Sequence, residues 1–484
     1  RGAVLNGLAV LVNSPSMNLS VDRFNTVRPL VPRPPSGGMT FANAAGSLVG
    51  AYYTRSTFKI KDDAGNLIAE SEFSPVSNTL TTATNAILAT LVPVSYESIT
   101  SRQIYRTTAG GATMFPWLEV EGNTVTTFTD GLADAGLQLV AAPTDLGTPP
   151  RLEIIAEWRN RLWGKGFDAL NTLRFSGNGR IFAWAASQTI PIPPPNFDAT
   201  GITGIIPRRD ELGVGTRSAL HKITGTEPSN FTRYVVKEGI GVFATDSVAV
   251  IHDTAYFLGN PFGVYTWGSS GIQSITDAKV KNWFASTTYF NQARFDRAVG
   301  CYDPVRHMYV LFLSNTGSTD LDRFITYDIA TGTWWGPHIT GAFTMNGGAT
   351  LTDADSVGRL GVFGTDGRLH VPQATYTDGL TTAIDTDVYT SFLSMNTPDI
   401  QKQFGQPAII TGVESGGTLT ITPYVGGLDA AAGTAISHDL TLGRERLRRL
   451  GSGRFVRLRF QINTNTRGAR IYGVEVPFHE LGRR

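Results

Sequence analysis

Residues 298–335 constrain the fold of this 484-residue chain more than any other segment. Three short runs of β-forming side chains follow one another here, separated by the turn dipeptide Asp303-Pro304 and by a loop of Gly, Ser, Thr and Asn, and the third run ends shortly before Trp334 and Trp335. Consecutive strands joined by turns form an antiparallel meander. So small a meander cannot bury both of its faces alone, and we interpret it as one blade of a β-propeller.

Similar segments recur along the chain at intervals of about 35 to 50 residues, a spacing typical of propellers. Two of them contain the hairpin signals Asn6-Gly7 and Asp366-Gly367. The repeats predict a propeller of about six blades. The repeated segments are residues 4–13, 154–166, 241–276, 298–335 and 350–373.

Two further modules are predicted beside the propeller. Residues 34–148 have turn signals every 8 to 12 residues, which is typical of a small β-sandwich. Residues 377–484 contain longer, cleanly alternating strands and predict a C-terminal β-sandwich of jelly-roll type. The sequence therefore predicts an all-β chain in which residues 1–33 begin the propeller and residues 149–376 supply its remaining blades.

Composition limits the function classes. The chain carries 53 Gly and 25 Pro, which suits short strands and many turns, and its net charge of +1 does not mark the whole chain as a polyanion binder. Its one cysteine, Cys301, excludes an internal disulfide and fits a reducing compartment. No apolar run of about 18 residues predicts a spanning helix, and no signal peptide is recognisable. Because the chain begins without Met, we expect that upstream residues are absent or were removed.

Several motifs resemble chemical sites but lack the spacing that the chemistry requires, and the acidic residues among them are typical turn residues. The segment from Asp328 to Trp334 differs from the sialidase Asp-box in its spacing, and we expect Asp328 to cap a turn and Trp334 to pack between blades. The histidines lack metal-ligand spacing, and Gly213-Val214-Gly215 is not followed by a phosphate-binding pattern. We expect no catalytic residue, metal or cofactor. The acidic residues considered for calcium were Asp353, Asp355, Asp366, Asp385 and Asp387.

The C-terminal region is strongly basic, with eleven Arg against three Glu between residues 444 and 484. Arg457 and Arg459 share one face of a predicted strand, because side chains alternate between faces. Two interpretations stay open: a surface for DNA phosphates or an acidic partner subunit, and a solvated face with salt bridges inside an assembly. We name six residues the basic strip: Arg446, Arg448, Arg449, Arg454, Arg457 and Arg459.

With these parts in order, the chain resembles the tail nozzle (tail tubular protein B-type, or tail hub) proteins of short-tailed bacteriophages. Five segments carry the resemblance. The inserted sandwich, with R-x-I-Y-R-T-x-A-G-G, is similar to fibronectin-III-like modules. The segments are 102–111, 255–267, 298–309, 327–334 and 453–476.

The resemblance implies a structural virion protein without enzymatic activity, assembled in the host cytoplasm. It implies a homo-oligomeric ring, as a hexamer, which lines the DNA exit channel, retains packaged double-stranded DNA and contacts adaptor proteins, tail fibres and the host surface. The alternative is a tail-associated adhesin that binds receptors or glycans through exposed aromatic residues such as Trp117 or Trp335. A carbohydrate-active propeller enzyme is a third interpretation, and it requires a pair of carboxylates that the sequence does not single out.

Overall fold

A computed structural model describes most of the chain and shows an all-β protein, as the sequence predicts. The helices among the described residues are α1 (Lys281–Ala285) and three 3-10 turns (Asp134–Gly136, Thr245–Ser247 and Gln292–Arg297). The chain divides into two compact units, Arg1–Gly300 and Cys301–Arg484. The described residues are 2–5, 8–12, 18–21, 26–138, 140–193, 200–276, 280–340, 344–352, 356–371, 377–378, 382–414, 417–464 and 471–482.

The first unit begins with a four-stranded antiparallel sheet, sheet A, followed by a seven-stranded module. Sheet A comprises β1 (Gly2–Leu5), β2 (Leu8–Leu11), β3 (Leu19–Val21) and β4 (Val27–Pro29). The module comprises β5 (Thr40–Tyr52), β6 (Thr54–Lys61), β7 (Leu67–Glu70), β8 (Leu80–Thr90), β9 (Ser101–Thr107), β10 (Met114–Glu121) and β11 (Phe128–Asp130).

After the module the chain returns to sheets built from consecutive strands, named sheets B to F. Sheet B is β12 (Leu152–Trp158), β13 (Arg161–Gly166), β14 (Thr172–Phe175) and β15 (Thr189–Pro191). Sheet C is β16 (Gly204–Pro207), β17 (Leu212–Gly215), β18 (Ala219–Thr224) and β19 (Thr232–Glu238). Sheet D is β20 (Gly241–Val242), β21 (Ala249–Ile251), β22 (Thr254–Asn260), β23 (Gly263–Gly268) and β24 (Gly271–Ser274). Sheet E is β25 (Val299–Asp303), β26 (Met308–Leu313), β27 (Arg323–Asp328) and β28 (Thr333–Ile339). Sheet F is β29 (Met345–Thr352), β30 (Gly358–Gly364) and β31 (Leu369–His370).

Sheet E confirms the predicted meander and extends it by a fourth strand, β28, which carries both tryptophans. The Asp328 carboxylate accepts hydrogen bonds from the backbone N–H groups of Ala330 (2.9 Å) and Thr331 (3.2 Å). Hydrogen bonds from Thr331, its hydroxyl foremost, hold the pKa of Asp328 below its usual range. The turn role of Asp328 is thus confirmed. Trp334 lies 5.0 Å from the ring of Tyr327, its cross-strand neighbour, and its packing between blades stays a prediction.

The predicted hairpins bring strands together as expected. Leu5 pairs with Leu8 across Asn6-Gly7, two residues that lie outside the described ones. Trp158 pairs with Arg161, which leaves a two-residue turn. Its residues, Arg159 and Asn160, have φ values of +50° and +56°, the left-handed backbone that type I′ turns require.

Adjacent residues of β12 and β16 point into different hydrophobic clusters. Ile154 belongs to the cluster that contains Val214 of sheet C, whereas the next residue, Ile155, belongs to the cluster that contains Val10 of sheet A. In β16, Ile205 packs in the cluster shared with sheet B, and Ile206 packs in the cluster shared with sheet D. Because strand side chains alternate between faces, sheets B and C are each buried on both sides by the neighbouring sheets.

The seven-stranded module consists of two sheets, ordered β10-β9-β6-β7 and β11-β8-β5, which contribute to one hydrophobic core. Arg106 of β9 lies in this core with its side chain fully buried, paired with Asp130 and, at 3.0 Å, with Asp134. Its guanidinium lies 5.1 Å from the ring of Tyr52. Burial raises the pKa of Asp130 in spite of its partner, Arg106.

A neighbouring arginine of β9 fixes a loop. The guanidinium of Arg102 donates to the backbone carbonyls of Gly122 (3.1 Å), Pro93 (3.3 Å) and Val125 (2.7 Å). A buried cation without partners costs several kcal/mol, and these three hydrogen bonds offset part of that cost for Arg102. The R-x-I-Y-R pattern therefore has a structural role in the module.

The C-terminal body contains three sheets, ordered β32-β33-β40-β36-β37, β39-β34-β42 and β38-β35-β41, and residues of all three share one core. The body comprises β32 (Thr377–Asp378), β33 (Thr382–Tyr389), β34 (Gln401–Phe404), β35 (Ala408–Thr411), β36 (Thr418–Gly426), β37 (Ile436–Asp439), β38 (Arg444–Arg446), β39 (Gly451–Gly453), β40 (Phe455–Thr464), β41 (Ile471–Glu475) and β42 (Phe478–Gly482).

His221 of β18 makes stability depend on pH. The residue is 2% exposed, and its Nδ1 lies 3.2 Å from a guanidinium nitrogen of Arg233. Burial first, and the charge of Arg233 second, lower the pKa of His221 to about 4. In the unfolded chain the pKa is about 6.5, so the unfolded state binds this proton more readily. The stability contributed by neutral His221 is complete above pH 6.5 and is lost as pH falls toward 4.

We expect this loss to reach roughly 3 kcal/mol at pH 4, since each pKa unit corresponds to about 1.4 kcal/mol. His221→Gln should remove this part of the pH dependence. Urea unfolding at pH 7.0, 5.5 and 4.5 measures it, with the wild-type chain and the variant compared at each pH. An unfolding free energy that falls equally steeply in the two proteins would contradict the assignment.

Candidate functional site

The basic strip is divided by the structure into two sets with different environments. Arg457 and Arg459 lie on β40, where the alternating residues Val456, Leu458 and Phe460 are buried in the core, as the sequence predicts. The other four arginines are exposed, outside β40.

Both arginines of β40 are held by partners on the adjoining segment. Nε of Arg459 donates to the two carboxylate oxygens of Asp387 at 2.8 and 2.9 Å, and these hydrogen bonds raise the pKa of Arg459. The guanidinium of Arg457 lies 4.3 Å from the ring centre of Tyr389 and 5.2 Å from that of Phe392. The carboxylate of Asp387 thus occupies donors of Arg459, and two aromatic rings lie against the guanidinium of Arg457. Both side chains are engaged within the C-terminal body.

The four exposed arginines lie around β38 and at the start of β40. Arg446 ends β38, Arg448 and Arg449 follow it, and Arg454 precedes β40. Arg448 donates to the backbone carbonyls of Thr434 and Ala435. Arg446 and Arg449 line an open groove of about 700 Å³, which we name the arginine groove. The lining residues are Gln406, Ala408, Arg446, Arg449, Glu475, Val476 and Pro477.

Strand register explains the shape of the arginine groove. Ala408 on the central strand β35 pairs with Arg446 on β38 and with Glu475 on β41. Directly paired residues project from the same face of a sheet, so a short alanine lies between two long side chains. The result is a floor at Ala408 with an arginine on one side and a carboxylate on the other.

The charge balance of the groove is positive. Glu475 is paired with Arg444 at 2.7 Å, both side chains being more than half exposed, so this ion pair stabilises the fold by at most about 1 kcal/mol. Glu445 points to the opposite face, where it contacts His438. The groove lining thus contains two guanidinium groups, those of Arg446 and Arg449, against one carboxylate that is already paired, so the groove can hold an anion.

A chain of polar groups lies on that opposite face. Nδ1 of His438 is 2.7 Å from a carboxylate oxygen of Glu445, and its Nε2 is 3.0 Å from the hydroxyl of Thr411. The order hydroxyl, imidazole, carboxylate is that of a nucleophile activated by a base. However, His438 is fully buried and Thr411 is 4% exposed, so a substrate cannot reach them. These hydrogen-bonded side chains connect β35, β37 and β38 on the face opposite the arginine groove.

The acidic residues considered for calcium are turn or ion-pair residues where they are described. Asp366 accepts a hydrogen bond from the backbone N–H of Arg368 (3.0 Å), which confirms its turn role. Asp387 is the partner of Arg459. Asp353 and Asp355 lie outside the described residues, as does the side chain of Asp385. Within the described part of the chain, no group of three His, Cys, Asp or Glu side chains could hold a metal ion.

Gly213-Val214-Gly215 forms the buried strand β17, which confirms its dismissal as a phosphate-binding loop. A Cβ at Gly213 would lie 2.5 Å from the ring of Trp267, so the glycine permits close packing of sheets C and D. No helix among the described residues is long and apolar enough to cross a membrane.

Comparisons with known proteins give no family. No protein-family model matches the chain, and no curated protein matches it. Among solved structures, one chain described as "YCF48 bound to D1 peptide" is similar over 65% of this chain and 95% of its own length, at 13% identity and a TM-score of 0.30. A similarity this low carries no argument about fold or function.

Removing the imidazole of His438 should destabilise the C-terminal body, because the partners Thr411 and Glu445 lose a buried hydrogen bond. We expect His438→Ala to cost about 2–4 kcal/mol and Thr411→Val about 1–2 kcal/mol. Urea unfolding of the purified chain measures both. His479→Ala, on the exposed strand β42, is the control and should change stability by less than about 0.5 kcal/mol. Equal unfolding free energies of all three variants would show that the hydrogen bonds of His438 do not stabilise the C-terminal body.

Proposed function

We propose that this chain is the subunit of a ring at the distal end of a short-tailed phage tail, where it lines the DNA exit channel, retains packaged DNA and carries fibres. The observation that supports it is the order of the parts. Six sheets of antiparallel strands, each formed by strands close in sequence, are interrupted after the first by a seven-stranded module and followed by the C-terminal body. The resemblance to tail nozzle proteins rests on segments in this same order.

In this proposal, sheets A to F are the six blades of a propeller. Burial of sheets B and C on both faces supports blades that stack side by side. Sheet A keeps one apolar face uncovered, with Val4, Leu11 and Val27 exposed at 64%, 44% and 58%. A closed propeller leaves no blade face open, so the proposal requires a neighbour there. Closure would give a rigid wall with few free strand edges.

The remaining two parts fit accessory roles. The sheet order β10-β9-β6-β7 beside β11-β8-β5 supports a fibronectin-III-like assignment for the module, and the non-sequential order β33-β40-β36 supports a jelly-roll-like one for the C-terminal body. We assign them to ring contacts and to attachment of adaptor proteins and fibres. A channel wall must let DNA slide, which a near-neutral chain whose excess of basic residues lies in residues 444–484 allows.

A second candidate, a glycan-binding adhesin, is favoured by one observation. Trp335 on β28 is 51% exposed, as an aromatic platform for sugar stacking requires. Trp117, the other tryptophan considered, is partly buried, 5.0 Å from Phe128 and 5.5 Å from the guanidinium of Arg106. Trp335 is therefore the residue that a glycan would use.

The ring is tested by native mass spectrometry and electron microscopy of the purified chain, alone and with its adaptor protein. We expect six copies in a closed ring whose lumen is wider than a DNA duplex, because a nozzle must pass DNA. A monomer, or a trimer without an axial channel, would contradict the proposal. Binding of the chain to a glycan array that Trp335→Ala abolishes would then favour the adhesin.

A further inference from the structure

We propose that the arginine groove binds an acidic segment of a partner protein, whose carboxylates are held by Arg446 and Arg449. The inference stands on the C-terminal body alone and does not depend on the proposed ring. It identifies the chemistry of the occupant as an extended peptide rich in Asp or Glu.

The groove has the size and form of a peptide site. Its volume of about 700 Å³ falls within the range of sites that enclose compact ligands. Ala408 forms the floor of the groove, because its side chain is shorter than those of the residues it pairs with, Arg446 and Glu475. Val476 and Pro477 continue the wall beyond Glu475 and provide apolar surface along the groove.

The charge of the groove selects an anion. Arg446 and Arg449 are exposed, whereas both nearby carboxylates have partners: Glu475, which lines the groove, is paired with Arg444 at 2.7 Å, and Glu445 contacts His438 at 2.7 Å on the opposite face. A guanidinium presents its donors in a planar fork that matches a carboxylate, which gives paired, directional hydrogen bonds. Two such forks in one groove can hold two carboxylates of one peptide.

The surroundings favour a peptide over a nucleic acid. A phosphate backbone is bound by a row of cations, but in this row Arg459 is paired with Asp387 and Arg457 lies against Tyr389 and Phe392. The groove lining combines the two guanidinium groups with the carboxylate of Glu475, the amide of Gln406 and apolar side chains, a mixture found in protein interfaces.

The probe is a fluorescein-labelled hexaglutamate peptide, titrated with the full chain and followed by fluorescence anisotropy at about 50 mM salt. We expect saturable binding that weakens at least tenfold in the double variant Arg446→Glu, Arg449→Glu. Arg454→Glu is the matched control, because Arg454 is exposed and basic but does not line the groove. It should change affinity less than threefold. Thermal melts verify that each variant is folded.

A second variant separates geometry from charge. Arg446→Lys with Arg449→Lys keeps both charges but loses the planar forks, and we expect it to bind hexaglutamate several-fold more weakly than the wild type. It also keeps the test valid if the double glutamate variant does not fold, since the lysine pair preserves the charge of the surface.

Three results would overturn the proposal. One is the absence of hexaglutamate binding by the wild-type chain. Another is an equal loss in Arg454→Glu and in the groove variants, which would show diffuse attraction. The third is tighter binding of a mixed-sequence 20-base-pair DNA duplex that the groove variants abolish, which would assign the groove to nucleic acid. None of these results bears on ring formation, which is measured separately.

Discussion

The fold of sheets B and C depends on one constraint: each of these small sheets has two apolar faces, and each face is covered by a neighbouring sheet. The consequence is visible in β12, where Ile154 and Ile155 are adjacent in sequence but enter different cores. The same holds for Ile205 and Ile206 in β16. Sheets B and C therefore depend on their neighbours for stability, since each buries its apolar faces against the adjoining sheets. Gly213, in contact range of Trp267, shows how closely two sheets of the series approach.

Features that depend on neighbouring residues could be predicted from the sequence. Turn residues act within a few positions of themselves, so Asp328 and Asp366 could be assigned to turns from their neighbours alone. The short strands of sheets A to E follow each other in sequence and in space, so the meander of sheet E could be read directly. Alternation along β40 correctly predicted that Val456 and Leu458 are buried while Arg457 and Arg459 share the other face.

Contacts between distant segments could not be read in this way. Asp387 pairs with Arg459 across 72 residues, and nothing in either local sequence indicates the other. The hydrogen bonds of His438 require β35, β37 and β38 to come together, and the position of His438 in the sequence does not indicate this. For this reason a run of arginines that looks uniform in sequence separates, once folded, into residues of β40 that contact Asp387, Tyr389 and Phe392, and exposed residues that line the groove beside Ala408. The environment of each arginine, more than the number of arginines, decides what the surface can bind.

Burial of sheet B on both faces can be measured through the unfolding free energies of Ile154→Ala and Ile155→Ala. The two residues are 5% and 7% exposed and point to opposite faces of β12. Each substitution should cost about 2–5 kcal/mol, because each leaves a cavity in a different core. In a sandwich, one face of β12 would meet solvent. A cost below about 0.5 kcal/mol at either position would contradict burial on both faces.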